Sequence, residues 1–359
     1  MERQPIPLFD TSAPLEPLRE ELHAAALRVL DGGRYILGPE VGAFESEWAA
    51  YIGVKHAIGV ANGTEALTIA LRALGVGPGD EVIVPSFTFY ASAEAVPPTG
   101  ATAVFCDIDP QTFCLTADTV RAALSPRTKA VIAVHLFGNV APVAEIAQLG
   151  VPVLEDAAQS AGSLCADGSR PGAVGAAATF SFFPSKNLGG FGDGGAVCTN
   201  DDGVAERVRM LRFHGSRDKV SYEHVGYNSR LDEIQAALLR VQLPHLDGWA
   251  DGRRAAGEHY ARAGLGEHVE LPRASDGARP AWHLYVIRSP RVDDVQRSLE
   301  RAGVGCKAYY RTPVHRQPAM RVRDLELPGT DEAARTHLAI PMSSVLSFEQ
   351  ASTVVAALC

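Results

Sequence analysis

The feature that most constrains this chain is an alternation. Short apolar runs rich in strand formers recur at Ala57–Val60, Glu81–Val84, Thr102–Cys106, Ala130–Val134, Val151–Leu154, Ala178–Phe182 and Gly195–Thr199. Helical patterns lie between several of them. After Asn62-Gly63-Thr64, the residues Leu67, Ala70, Leu71 and Leu74 recur at i, i+3, i+4 and i+7, and Gly75 supplies a C-terminal stop. Strands that are apolar throughout must be covered on both faces. The alternation therefore predicts an α/β fold whose mostly parallel sheet is flanked by helices.

The pattern changes near residue 245. Ser229–Val241 reads as a helix opened by Ser229 and Asp232 at capping-box spacing, and Leu246–Ala263 as a longer one bearing Trp249, Arg253 and Tyr260. A strand at His283–Arg288, a helix at Val292–Ala302 and an extended segment at Val304–Tyr310 follow. The last helix is capped by Ser347 with Gln350 three residues on. This divides the chain into a large domain over residues 1–245, its core starting near residue 20, and a smaller C-terminal α+β domain over 246–359.

Composition excludes several classes. The net charge of −9 is dispersed, whereas a nucleic-acid binder carries a basic stripe. Cys106, Cys114, Cys165, Cys198, Cys306 and Cys359 form no C-x-x-C pair, which points to free thiols in a reducing compartment. The histidines form no H-E-x-x-H or comparable cluster, so no metal site is expected. No G-x-S-x-G elbow or P-loop appears. The opening MERQPIPLFDTS lacks a signal-type apolar core, and Pro85 and Glu94 interrupt the most apolar stretch, Val82–Pro98. The expectation is a soluble cytoplasmic protein without a membrane or nucleic-acid partner.

Four segments set polar residues against apolar strands. Asn62-Gly63-Thr64 opens a helix after a strand; its free N–H groups suit a phosphate, although an ordinary helix cap would look the same. Glu155 and Asp156 end an apolar strand, where open α/β sheets bind ligands. They point to opposite faces, and Asp156 is the one whose face Gln159 can share. A carboxylate there suits a cationic ring nitrogen; a salt bridge or helix cap is the structural alternative. Lys186 follows Phe182, Phe183 and Pro184 and precedes several glycines. An amine among apolar groups is desolvated, loses basicity and becomes a Schiff-base nucleophile. Arg230, in Asn228-Ser229-Arg230-Leu231, could hold a carboxylate or phosphate, or simply stand exposed at a helix start. The G-x-G-x-x-G formed by Gly190, Gly192 and Gly195 precedes a strand rather than a helix, so it is discounted as a dinucleotide fingerprint.

Taken in order, Gly63-Thr64, Pro85-Ser86-Phe87-Thr88-Phe89, Glu155-Asp156-Ala157-Ala158-Gln159, Ser181 with Lys186-Asn187-Leu188-Gly189, and Asn228-Ser229-Arg230-Leu231 resemble the DegT-type nucleotide-sugar aminotransferases. These are pyridoxal 5'-phosphate (PLP) enzymes of fold type I, and the likeness runs nearly end to end. The resemblance implies Lys186 as the Schiff-base lysine and Asp156 as the partner of the pyridine nitrogen. It implies Phe89 as the ring on the cofactor face and Gln159 beside the phenolic oxygen. Gly63, Thr64 and Ser181 become a phosphate cup, completed by Asn228 of a partner subunit. Arg230 of that partner helps bind the donor or the substrate phosphates, and Tyr309, Tyr310 and His315 belong to a substrate-side loop. A homodimer with interfacial sites follows. So does transfer of an amino group from an amino acid, glutamate first, through pyridoxamine 5'-phosphate to a nucleotide-linked keto-sugar. The Ala308–His315 loop favours a 3-keto-6-deoxyhexose. A 4-keto sugar, a cyclitol ketone and a non-catalytic regulator of the same fold are the alternatives, and a lysine at position 186 disfavours the family's dehydratase relative.

Overall fold

A computed structural model describes residues 5–320, 322 and 324–358, so Met1–Gln4, Arg321, Arg323 and Cys359 lie outside it. Seven strands form the main sheet: β1 (His56–Val60), β2 (Glu81–Pro85), β3 (Thr102–Cys106), β4 (Thr128–Val134), β5 (Val153–Asp156), β6 (Ala177–Ser181) and β7 (Gly195–Thr199). Their spatial order is β1-β7-β6-β5-β4-β2-β3. Pairings from β6 through β3 are parallel, while β7 runs antiparallel to both β6 and β1. The mostly parallel sheet read from the alternation is present, with β7 as its exception.

The strand pleat sorts side chains between two cores. On β6, Ala178 and Phe180, with Phe182 just beyond, join the cluster around Phe44 and Trp48 of the helix Pro39–Ile52. The Trp48 ring meets Phe180 and Phe182 edge-on, at centroid distances of 5.0 and 5.5 Å. Ser181, on the opposite phase, faces Gly63 at the start of the helix Gly63–Ala73. That helix begins as its sequence predicts: Asn62 is extended, its Oδ1 accepts the Glu65 N–H at 2.8 Å, and Gly75 adopts the left-handed conformation beyond the end.

A two-stranded antiparallel sheet, β8 (Tyr285–Arg288) with β9 (His337–Ile340), carries the C-terminal part together with the helices Leu246–Arg262, Val292–Arg301 and Phe348–Ala356. The reciprocal cap of Ser347 and Gln350 forms as read. The N-terminal segment, grouped by the sequence reading with the large domain, runs against this C-terminal part through bridges Ile6–Val304 and Phe9–Met342. β9 and the helix Pro328–Thr336 before it were not foreseen. Four residues are too short for a periodicity signal, and Lys307 and β8 supply the pairing.

One cap differs from its reading. The helix after Arg230 spans Glu233–Gln242, and Asp232 at its N-cap makes no side-chain cap bond. Ser229 Oγ instead accepts the Ala61 N–H at 3.1 Å, tying the Asn228–Arg230 turn to the end of β1. Glu233 is buried and accepts the N–H groups of Gly38 (2.6 Å), Glu40 (2.9 Å) and Val41 (2.9 Å), so it caps the neighbouring helix Pro39–Ile52. Spacing along one helix cannot reveal a cap supplied across space.

Candidate active site

The strand ends gather the polar residues. β5 delivers Glu155 and Asp156, β6 delivers Ser181, β4 runs into His135, and the turn after β1 places Gly63 and Thr64 beside Ser181. β7 begins at Gly195, opposite Val60 and Ser181. A Cβ there would approach the Asn62 carbonyl carbon to 2.5 Å, so the residue must be glycine for close backbone approach. The formal G-x-G-x-x-G therefore leads into a strand, as the sequence reading held.

The two acids part as predicted. Asp156 Oδ2 accepts from Ser92 Oγ at 2.7 Å, and Ser92 lies 3.0 Å from Thr88 Oγ1. Glu155 turns to the other side and is fully buried. It accepts from His135 Nε2 (2.9 Å) and from the N–H groups of Gly172 (2.6 Å), Val174 (3.0 Å) and Gly175. The Ala141 N–H donates to His135 Nδ1 at 3.0 Å, which assigns the ring proton to Nε2. Burial works against the Glu155 charge, but His135 and the backbone donors outweigh it and hold the carboxyl below its ordinary range.

Lys186 sits in a loop that folds back on itself: its N–H donates to Phe183 O at 2.8 Å, and the Gly190 N–H to Phe182 O at 2.7 Å. Asn187 Nδ2 pins the loop to Ala161 O at 2.9 Å. Burial pushes the Lys186 amine down to about 8, and the nearby Asp156 charge opposes that only in part. Lys186 lines a cavity of about 710 Å³ that also borders Phe9, Asn187 and Arg253.

Gln159 Oε1 accepts the Phe137 N–H at 2.6 Å, while its Nε2 approaches the Tyr310 hydroxyl at 3.5 Å. Tyr310 stacks on Phe137 at 5.7 Å and 8°, and burial pushes its phenol up. The loop residue Tyr310 thus joins Gln159 at the strand ends. Tyr309 is half-buried beneath the Lys307 ammonium. His315 is buried and bonded through Nδ1 to Ser86, which ties its loop to the end of β2, while its Nε2 has no partner among the described residues. Phe89 is 55% exposed. Asn228 is exposed and accepts from Arg230, and neither residue borders the Lys186 cavity.

The sequence profile of the DegT/DnrJ/EryC1/StrS aminotransferase family matches residues 17–359. The chain belongs to that family. The dTDP-3-amino-3,4,6-trideoxy-alpha-D-glucose transaminase of Streptomyces venezuelae is 46% identical over 361 residues, covering 98% of this chain and 94% of that protein. A pleiotropic regulatory protein of Geobacillus stearothermophilus is 44% identical over 360 residues, covering 98% and 96%. The crystal structure of S. venezuelae DesV in complex with a ketimine intermediate superposes with a TM-score of 0.95 at 44% identity, covering 99% of this chain and 98% of that one. As a member of the family, the chain is a PLP-dependent aminotransferase.

The residues fit that cofactor. A Cβ at position 63 would lie 2.8 Å from Ser181 Cβ, so only glycine lets the start of the helix and the Ser181 hydroxyl converge on one anion. A lysine of lowered basicity and a buried carboxylate complete the chemistry the ring requires. Among the described residues, no cluster of three or more metal-ligand side chains competes with this reading, and no helix is long and apolar enough to cross a membrane. Ser92 escaped the sequence reading. Its signal is a hydroxyl pair, Thr88 and Ser92, at i and i+4 in an apolar stretch.

Proposed function

We propose that this aminotransferase moves the amino group of an amino acid, glutamate first, onto a nucleotide-linked 3-keto-6-deoxyhexose. The observation that carries the reaction class is a buried amine, Lys186, lowered to about 8 with the Asp156 charge nearby, together with the buried Asp156 carboxylate held by Ser92. When bound, PLP supplies an electron sink for the carbanion formed at the donor's Cα. Asp156, oriented by Ser92, holds a proton on the ring nitrogen. Lys186, neutral at mildly alkaline pH, would be the base that takes the proton from the donor's Cα. Gly63, Thr64 and Ser181 would hold the PLP phosphate, Phe89 its ring, and Gln159 with Tyr310 its phenolic oxygen. Substrate choice leans on the Ala308–His315 loop and on the 3-amino sugar named for the S. venezuelae relative.

The site works across a homodimer in this reading, with Asn228 and Arg230 serving the partner's phosphate cup and substrate. The exposed apolar rings of Phe183 and Phe191 flanking the lysine loop support it. The five described thiols are free, in keeping with a cytoplasmic setting. Residues 1–245 and 246–359 act as the cofactor-binding and smaller domains.

The test is a visible spectrum of the purified protein before and after glutamate, then turnover on 3-keto and 4-keto nucleotide sugars. A cofactor band that shifts on glutamate and is absent in Lys186→Ala is the expected result. Preference for the 4-keto panel would overturn the sugar assignment, and no response to any donor would favour a regulatory role. Mixing Lys186→Ala with Asn228→Ala subunits should restore activity neither variant has alone.

A further inference from the structure

The glycines that follow Lys186 are spaced by a neighbour. Gly190 and Gly192 open the G-x-G-x-x-G that leads into β7, and Gly194 stands beside its last glycine. A Cβ at position 190 would lie 2.8 Å from Gln235 Oε1, and one at position 192 would lie 3.1 Å from Gln235 Nε2. At position 194 it would meet Leu231 Cδ1 at 3.1 Å. The lysine loop is therefore bare where residues 231–235 press on it. The contact is also a bond, because the Phe191 N–H donates to Gln235 Oε1 at 2.8 Å. The base of the loop is closed in turn by the Phe182 N–H, which donates to Gly194 O at 2.8 Å.

Residues 231–235 run on directly from the Asn228–Arg230 turn, and that junction is clamped at several points. The Ser229 N–H donates to Arg212 O at 3.1 Å, and Ser229 Oγ accepts the Ala61 N–H. Leu231 is buried, and a Cβ at Gly59 of β1 would come within 2.9 Å of its Cβ. Glu233 donates its N–H to Tyr35 O at 3.0 Å while its carboxylate caps the helix Pro39–Ile52. Gln235, on the first turn of the helix Glu233–Gln242, adds the bond to the lysine loop. Close-packed elements shift as units rather than deform smoothly, so a movement of this loop is passed to the turn.

We propose that Gln235 is a positioning residue for two sites at once. It sets the lysine loop of its own protomer, and with it the Asn228–Arg230 turn that the protomer sends into its partner's cofactor site. This rests on the interfacial-dimer reading above and adds a route by which the two sites are coupled. Such coupling is reciprocal for binding, so an occupied site on one protomer favours occupation of the other.

The experiment uses cofactor-free mixed dimers whose two chains carry different affinity tags. One chain carries Lys186→Ala, so only the other chain's lysine gives the visible cofactor band on titration with PLP. Gln235→Ala on the Lys186→Ala chain can reach that band only across the interface. There it should raise the PLP concentration for half-saturation by about 3- to 10-fold, the worth of one neutral hydrogen bond. On the lysine-bearing chain it should raise the half-point through the loop. Gln235→Glu keeps an acceptor for the Phe191 N–H and should restore the wild-type value. If Gln235→Ala does not fold, Gly192→Ala presses a methyl on the same amide from the loop side, and it must raise the half-point across the interface too. Asn228→Ala on the Lys186→Ala chain is the control. A raised half-point for that control beside an unchanged one for Gln235→Ala reduces Gln235 to packing within one protomer and overturns the coupling alone. An unchanged half-point for the control overturns the interfacial reading and the coupling with it.

Discussion

Replacing Glu155 offers the sharpest test of how the site is built. In Glu155→Ala, the His135 Nε2–H and the N–H groups of Gly172, Val174 and Gly175 lose their common acceptor in a fully buried setting. One unsatisfied buried donor costs about 1–3 kcal/mol, but four sharing a site relax together, and breaking a buried pair measures about 3–5 kcal/mol. The larger estimate is the one expected for Glu155→Ala. Glu155→Gln keeps one acceptor oxygen and turns an NH₂ against a donor, which should cost about 1–3 kcal/mol. Thermal midpoints of the cofactor-free proteins, compared under one set of conditions, read both. Acid adds a signed check. Because the folded carboxyl lies below its ordinary value, its contribution is present above the unfolded value, about 4.3, and disappears as pH falls through the folded one. The gap between wild type and Glu155→Gln should therefore narrow only below about pH 4. A Glu155→Ala protein as stable as wild type, or a gap that ignores acidification, would refute the reasoning.

Three further outcomes follow from the same geometry. In cofactor-free protein, Lys186 should react with PLP along a pH profile rising near 8; a half-rise near 10.4, the ordinary lysine value, would show the amine to be solvated. Since the folded state sheds this proton first, stability of the cofactor-free protein should also rise between about pH 8 and 10. Gly195→Ala pushes a methyl against the Asn62 backbone and should cost about 1–3 kcal/mol, read as a lowered midpoint, with cofactor retention falling alongside. Ser92→Ala removes the hydroxyl bonded to Asp156 and should leave the fold intact while slowing proton transfer about 10-fold; an unchanged single-turnover rate would demote Ser92 to packing.

Much of this was legible in one dimension because its causes are local. Alternating runs declared the sheet, Asn62 and Gly75 declared a helix and its ends, and the strand period alone separated Glu155 from Asp156. Lys186 was visible as an amine among aromatics and glycines. Residues whose partners are remote in sequence were misread or missed. Ser229 was read as a cap, but its hydroxyl was already committed to Ala61, 168 positions earlier. Glu233 caps a helix 192 to 195 positions away. Gln235 carried no signal along the chain; only its bond to Phe191, 44 positions earlier, shows what it holds. The sequence by itself determined the fold class and the family, because periodicity and short motifs are properties of neighbouring residues. The tertiary structure decided which polar groups meet and which elements they tie together, because a hydrogen bond is settled by distance in space.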